Sequence, residues 1–115
     1  MHPIQASPIY ETAIDSTADL LTRLRLDFMF VGAVARAAWL GSVVESGSID
    51  VIALMAPQQK NQVAMMASHR GFRVDRGEVE ATEELDLVPL NYIGETGEIR
   101  VHILVASNAL YGRMV

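Results

Sequence analysis

Ser48 and Asp50 stand two residues apart in the stretch ESGSIDVIAL, residues 45 to 54, at the mouth of an apolar run. Side chains at that spacing on a strand share one face, with a rise of about 3.3 Å per residue. Two carboxylates so placed would hold magnesium ions, hard cations that take oxygen ligands and also bind substrate phosphates, with a third acid from a neighbouring strand completing the cage. Enzymes that transfer a nucleotidyl group need such metals to neutralise charge that develops on the phosphorus and its leaving group. One of the two positions here carries a hydroxyl. The stretch is therefore either an altered metal-binding strand or an ordinary strand whose first carboxylate accepts backbone hydrogen bonds or faces solvent.

Other polar residues have simpler readings. Arg36, the one charge in the segment AVARAAWL, contacts phosphate if it faces a cleft and is otherwise a surface cation, the favoured reading. His69 and Arg70 fall in the last turn of an expected helix, where positive charge suits the dipole. Glu78, Glu80, Glu83, Glu84 and Asp86 read as a solvated acidic stretch, and scattered Ser, His and Asp residues define no catalytic triad. Met55, Met65, Met66 and Trp39 lie on apolar segments and read as core, although a methionine-rich surface also suits a partner.

The elements that must position these groups follow from periodicity. Ile14, Leu20, Leu21 and Leu24 recur at helical spacing between Ile9 and Leu26, with Pro8 suited to the first turn. DFMFV reads as a buried strand ending at Gly32, AVARAAWLG as a short helix closed by Gly41, and SIDVIALM as the next strand, entered through the loop SVVESG. PQQKNQVAMMASHRG predicts a helix with Pro57 at its first position and Gly71 at its exit. FRVD predicts a short strand, and residues 77–86 a loop or solvated helical turn. Two apolar runs flanking Gly94 to Gly97 predict a hairpin with a four-residue connection, Pro89 marking an edge or a strand start. Ser107 or Asn108 suits the cap of a helix at the end of the chain. The order predicts an α+β fold, a small mixed sheet with helices packed on it.

Composition bounds the possibilities. A chain of 115 residues fits one domain. Half the residues are apolar and 20% are charged, below the usual share of about 25%, which allows a real core and an apolar face for a partner. A net charge of −5 opposes a broad nucleic-acid-binding surface, which needs many phosphates neutralised. The absence of cysteine excludes disulfides, zinc thiolates and thiol nucleophiles and suits a cytoplasmic protein. No secretory signal opens the chain, and the apolar segment from Phe28 to Leu40 falls short of the roughly 20 residues that span a bilayer.

Taken in order, FVGAVARAAWLGSVVESGSIDVIALMAP, ASHRGFRVD and EIRVHILVASNALY resemble the nucleotidyltransferase superfamily of the polymerase-beta-like fold, in particular small bacterial members linked to toxin–antitoxin systems. The resemblance covers most of residues 20 to 111. That family shows a strand ending in Gly-Gly or Gly-Ser, a short helix closed by Gly, an Arg-x-Thr-x-Asp-Ile-Asp strand and, later, Val-Asp-Leu-Leu. Gly32 and Ala33 match the paired small residues, and Gly41 the helix closure. Val44 stands at the Arg, Ser46 at the Thr, Ser48 at the first Asp, Asp50 at the second, and His102 at the Asp of the later strand.

The resemblance implies nucleotide binding at Gly32, Ala33, Ser46 and Ser48, and metal positions at Asp50 and His102. Two of three expected carboxylates are replaced, and a hydroxyl and an imidazole poorly replace them around magnesium. The expected function is thus a degenerate, catalytically impaired domain acting in nucleotide binding or protein interaction. The alternative is an active transferase that modifies a protein or nucleic acid from a nucleoside triphosphate, with magnesium as cofactor and Glu45 or Glu98 as replacement acids. For His102 two readings stay open: a transition-metal ligand beside Asp50, or a hydrogen-bonded strand histidine. The expected partners are a nucleoside triphosphate and a protein, which includes a second copy. The end LYGRMV motivates the latter, since family members commonly continue with further helices.

Overall fold

Pro8 opens the first long helix, where its missing N–H costs nothing and its fixed φ suits the first turn. The computed structural model describes residues 5–6, 8–32, 43–44, 48–82, 85–95 and 97–106, and every structural statement concerns these. After β1 (Gln5–Ala6), helix α1 spans Pro8–Arg23, with Glu11 in its first turn and Arg23 in its last, both complementing the helix dipole. Tyr10, Ala13, Ile14, Thr17, Leu20 and Leu21 are buried along one stripe. Thr17 is accommodated there because its hydroxyl donates to the Ala13 carbonyl at 2.7 Å.

The helix stops three residues before the expected Leu26, and the stop is made by Arg25. This residue adopts φ 58°, while the Leu26 N–H reaches the Leu21 carbonyl at 3.0 Å and the Arg25 N–H the Thr22 carbonyl at 3.0 Å. That pair of bonds is the Schellman arrangement, with arginine where glycine is usual. Strand β2 (Phe28–Val31) follows and ends at Gly32, as expected, but it is not the buried strand that its composition predicts: it lies at the end of the sheet, with Met29 exposed and the other three residues half-buried. The loop expected at SVVESG contains a short strand, β3 (Val43–Val44), parallel to β1.

Strand β4 (Ile49–Leu54) alternates strictly: Ile49, Val51 and Ala53 are buried, while Asp50, Ile52 and Leu54 lie on the other face, half-buried. Pro57 opens a 3-10 turn, Pro57–Gln59, which runs directly into helix α2 (Lys60–Ser68). The Gln59 side chain accepts the Ala56 N–H at 2.8 Å and so closes this entry. Gly71 makes the exit with φ 87°. After β5 (Phe72–Arg73), Asp75 caps a short helix, α3 (Arg76–Ala81), by accepting the Glu78 N–H at 3.1 Å. Strands β6 (Leu87–Ile93) and β7 (Glu98–Ala106) form the hairpin, closed by Gly94 N–H to Gly97 O at 2.8 Å.

Five strands make one mixed sheet in the order β2-β4-β7-β6-β5, with β4 and β7 parallel and the other neighbours antiparallel. The fold is α+β. Helices α1 and α2 cover the face that carries Ile49, Val51, Val88, Leu90, Val101 and Ile103, and these form the core with Val63 and Ala67 of α2. Fully burying one such aliphatic side chain contributes about 1.5–3 kcal/mol. Met55 belongs to this core and Met66 packs against it, but Met65 is 68% exposed, against expectation, because it falls outside the stripe formed by Val63 and Ala67. Trp39 and Arg36 lie outside the described residues.

Pro89 has a specific place. The Asp86 carbonyl accepts from Val105 and the Gly94 N–H donates to Gly97, so even-numbered residues of β6 bond to β7 and odd-numbered residues point their backbone groups outward. On that outer side β5 pairs only with Asn91 and Tyr92. Pro89 therefore occupies the unpaired half of β6, at a position whose N–H would meet no strand.

Candidate site at the parallel β4–β7 pair

The parallel pairing of β4 and β7 sets Asp50 directly beside His102 on the face away from α1 and α2. Ser48, two residues before Asp50, shares that face. Its hydroxyl donates to Asp50 Oδ1 at 3.0 Å, and His102 Nδ1 lies 3.1 Å from the same oxygen. An ionised carboxylate only accepts, so Nδ1 carries the proton and donates. This leaves Nε2 of a neutral ring as a lone pair, with no protein partner among the described residues. The two side chains are 35% and 34% exposed, enough for a ligand to reach them.

Gly32 completes the group. Strand β2 pairs with β4 so that Val31 faces Asp50, and a Cβ on Gly32 would sit 3.1 Å from Asp50 Oδ2. At φ 65° any other residue is also strained. The end of one strand, the start of a second and the middle of a third therefore meet at Asp50. Of the residues expected at the site, Gly32, Ser48, Asp50 and His102 are brought together; Ala33, Ser46 and Glu45 lie outside the described residues.

These groups do not fit a pair of magnesium ions. They supply one carboxylate, and one of its oxygens already accepts two hydrogen bonds. Glu98 is no substitute. It lies four residues from His102 along β7, about 13 Å at the usual rise, and its carboxylate is held by Arg73 at 2.9 Å. Among the described residues no three His, Asp or Glu side chains are grouped to hold a metal ion.

Two further features were not anticipated from the sequence. Arg100, two residues before His102 on the same face, donates to both carboxylate oxygens of Glu78 on α3, one of them at 3.0 Å. The Arg100 hydrogen bond holds the Glu78 carboxyl below the usual carboxylate range, and Glu78 in turn raises the Arg100 guanidinium. This pair ties the acidic segment to the sheet. The signal lay in the Asp75 cap three residues before Glu78. The second feature is a groove of about 550 Å³ beside the unpaired half of β6, lined by Pro57, Lys60, Asn61, Val79, Leu87 and Pro89 among others. Lys60 forms part of its wall and donates to the carbonyls of Thr82 at 3.2 Å and Leu85 at 2.6 Å. The groove opens between the outer edge of β6, the entry to α2 and α3, and none of Gly32, Ser48, Asp50 or His102 lines it. No spacing within the sequence announces such a groove.

Comparison with protein-family models, with curated proteins and with solved structures finds no match for the chain. Among the described residues no helix is long and apolar enough to cross a membrane.

Proposed function

We propose that the chain is a nucleotidyltransferase-like domain that has lost two-metal catalysis and acts by binding a nucleoside triphosphate. The observation that carries this reading is the convergence of Gly32, Ser48, Asp50 and His102. The resemblance links these positions only by order along the chain, and Asp50 and His102 are separated by 52 residues, yet their side chains share a hydrogen bond. The mixed sheet supports the reading by setting the parallel β4–β7 pair at these residues. Gly32 lets backbone come close to the site, as an approach to phosphates would need.

Calorimetric titration with each of the four nucleoside triphosphates tests the reading. Saturable binding that weakens in Asp50→Ala is expected, and no binding by any of them rejects it. A transfer assay with magnesium or manganese on candidate acceptors tests the active alternative, which requires acceptor labelling that disappears in Asp50→Ala.

A second reading, protein interaction, has its own support. The open face carries Met29, 62% exposed, which lines a small, mostly apolar groove together with Phe28, Ile52, Leu54, Ala106 and the charged Asp27. Exposed apolar groups of this kind suit a partner, which includes a second copy of the chain. Light scattering across a range of concentrations distinguishes the two: a monomer throughout removes the homodimer.

A further inference from the structure

We propose that His102 Nε2 is a nucleophile that accepts the α-phosphoryl group of a nucleoside triphosphate, so that the site captures one nucleotide covalently. This inference rests on the nucleotide-binding reading above. It differs from metal-dependent transfer because the group that attacks belongs to the protein itself.

Three features of the geometry carry it. Asp50 fixes the tautomer: the Nδ1 proton is donated to the carboxylate 3.1 Å away, so the ring's lone pair sits on Nε2. Nε2 has no protein partner among the described residues and its ring is 35% exposed, so the lone pair is available. The ring stands beside Asp50 and Ser48 on the sheet face that α1 and α2 do not cover, so a ligand reaches it from that side. A nucleophile aligned by a hydrogen-bonded second group is the arrangement that covalent catalysis uses.

The arrangement also accounts for the one acid present. Attack on phosphorus turns the neutral ring into a cation, and a carboxylate at Nδ1 offsets that charge at the moment it forms. Ser48, donating to the same Oδ1 at 3.0 Å, holds the carboxylate in place. In detail, the Nε2 lone pair forms an N–P bond to the α-phosphorus, the bond from that phosphorus to the bridging oxygen breaks, and pyrophosphate leaves with the electron pair. The Nδ1 proton stays between ring and carboxylate. The product is a phosphoramidate, stable to alkali and labile in acid.

The test incubates the full chain with α-labelled ATP, GTP, CTP and UTP in turn, each as its magnesium complex, alongside calorimetric binding to the same unmodified chain. The expected result is alkali-stable, acid-labile label, at most one nucleotide per chain, with a nucleoside monophosphate mass increment on the peptide that contains His102. His102→Asn should abolish labelling, and Asp50→Asn should slow it by about tenfold or more. Mapping the label on the unmodified chain keeps the test valid if a variant fails to fold. Nucleotide binding without labelling, or label at any other residue, overturns the inference and leaves the binding reading standing. The absence of both binding and labelling overturns both.

Discussion

The two faces of the β4–β7 sheet are built from alternate residues of the same strands, yet they are different materials. Toward α1 and α2 the sheet presents Ile49, Val51, Val101 and Ile103, all fully buried. On the other face the intervening positions are Asp50, Ile52, Arg100, His102 and Leu104, every one of them reached by solvent to some degree. The period of two lets one short segment serve both as core and as site. Stability and chemistry can therefore change independently: the helix-covered face fixes where Asp50 and His102 stand, while the open face decides what they do.

The largest effect should come from breaking the covered face. Ile103→Ala is expected to cost about 2–5 kcal/mol, whereas Leu104→Ala, one residue on and 38% exposed, should cost under about 1 kcal/mol in urea titrations. Equal losses would mean that the open face is covered. Next comes the backbone at the site. Gly32→Ala should destabilise the fold by about 1–2 kcal/mol through its left-handed φ, and its methyl group, 3.1 Å from Asp50 Oδ2, should weaken nucleotide binding at the same time. Binding unchanged in this variant would separate Gly32 from the site.

A third substitution reverses the chemistry of the open face. The double change Ser48→Asp with His102→Asp places three carboxylates around one point, so the variant should melt below the parent in chelator and be raised by manganese or magnesium, which leave the parent unmoved. A divalent-ion shift in the parent would contradict the single-carboxylate geometry. A smaller gain is expected from Arg25→Gly, which relieves the left-handed turn at the end of α1 and should stabilise the fold by up to about 1 kcal/mol in thermal melts.

The smallest effect concerns Glu78 and Arg100. Because Arg100 depresses the Glu78 carboxyl below its ordinary value of 4.5, their pairing is fully present above that pH and fades as pH falls through the lower, folded-state value. Both side chains are more than a third exposed, so screening keeps the contribution below about 1 kcal/mol. Glu78→Gln should remove that part of the acid sensitivity, read as the difference in denaturation midpoint between pH 3 and pH 6.

What the sequence disclosed follows the same division. The covered face is written in alternating aliphatics, and the strands at DFMFV and SIDVIALM and the hairpin around Gly94 to Gly97 stand where periodicity placed them. The end of α1 was not legible because its stop is Arg25, a residue that rarely adopts a positive φ and carries no glycine signal. Helix α3 is the solvated helical turn offered as one alternative for residues 77–86, but the partner that one of its acids finds in Arg100 was not legible. Met65 was misjudged because an apolar residue on a short helix does not reveal which way it points. At the site, the spacing of Ser48 and Asp50 sufficed to place them on one face. His102 could be joined to them only through the resemblance, since no local pattern specifies which strands lie side by side.

The position of β7 also bears on how the chain assembles. It is the last strand of the sheet in sequence but the middle one in space, flanked by β4 and β6. A nascent chain emerging from the ribosome can form α1 and the β2–β4 pair early, yet β4 keeps an unsatisfied inner edge until residues 98–106 have been synthesised. Docking of the final hairpin then closes the sheet and brings His102 to Asp50 in one event. Any activity of the site is thus switched on only when translation has passed β7, and a chain cut short before it would expose an aggregation-prone edge and carry no trace of that activity.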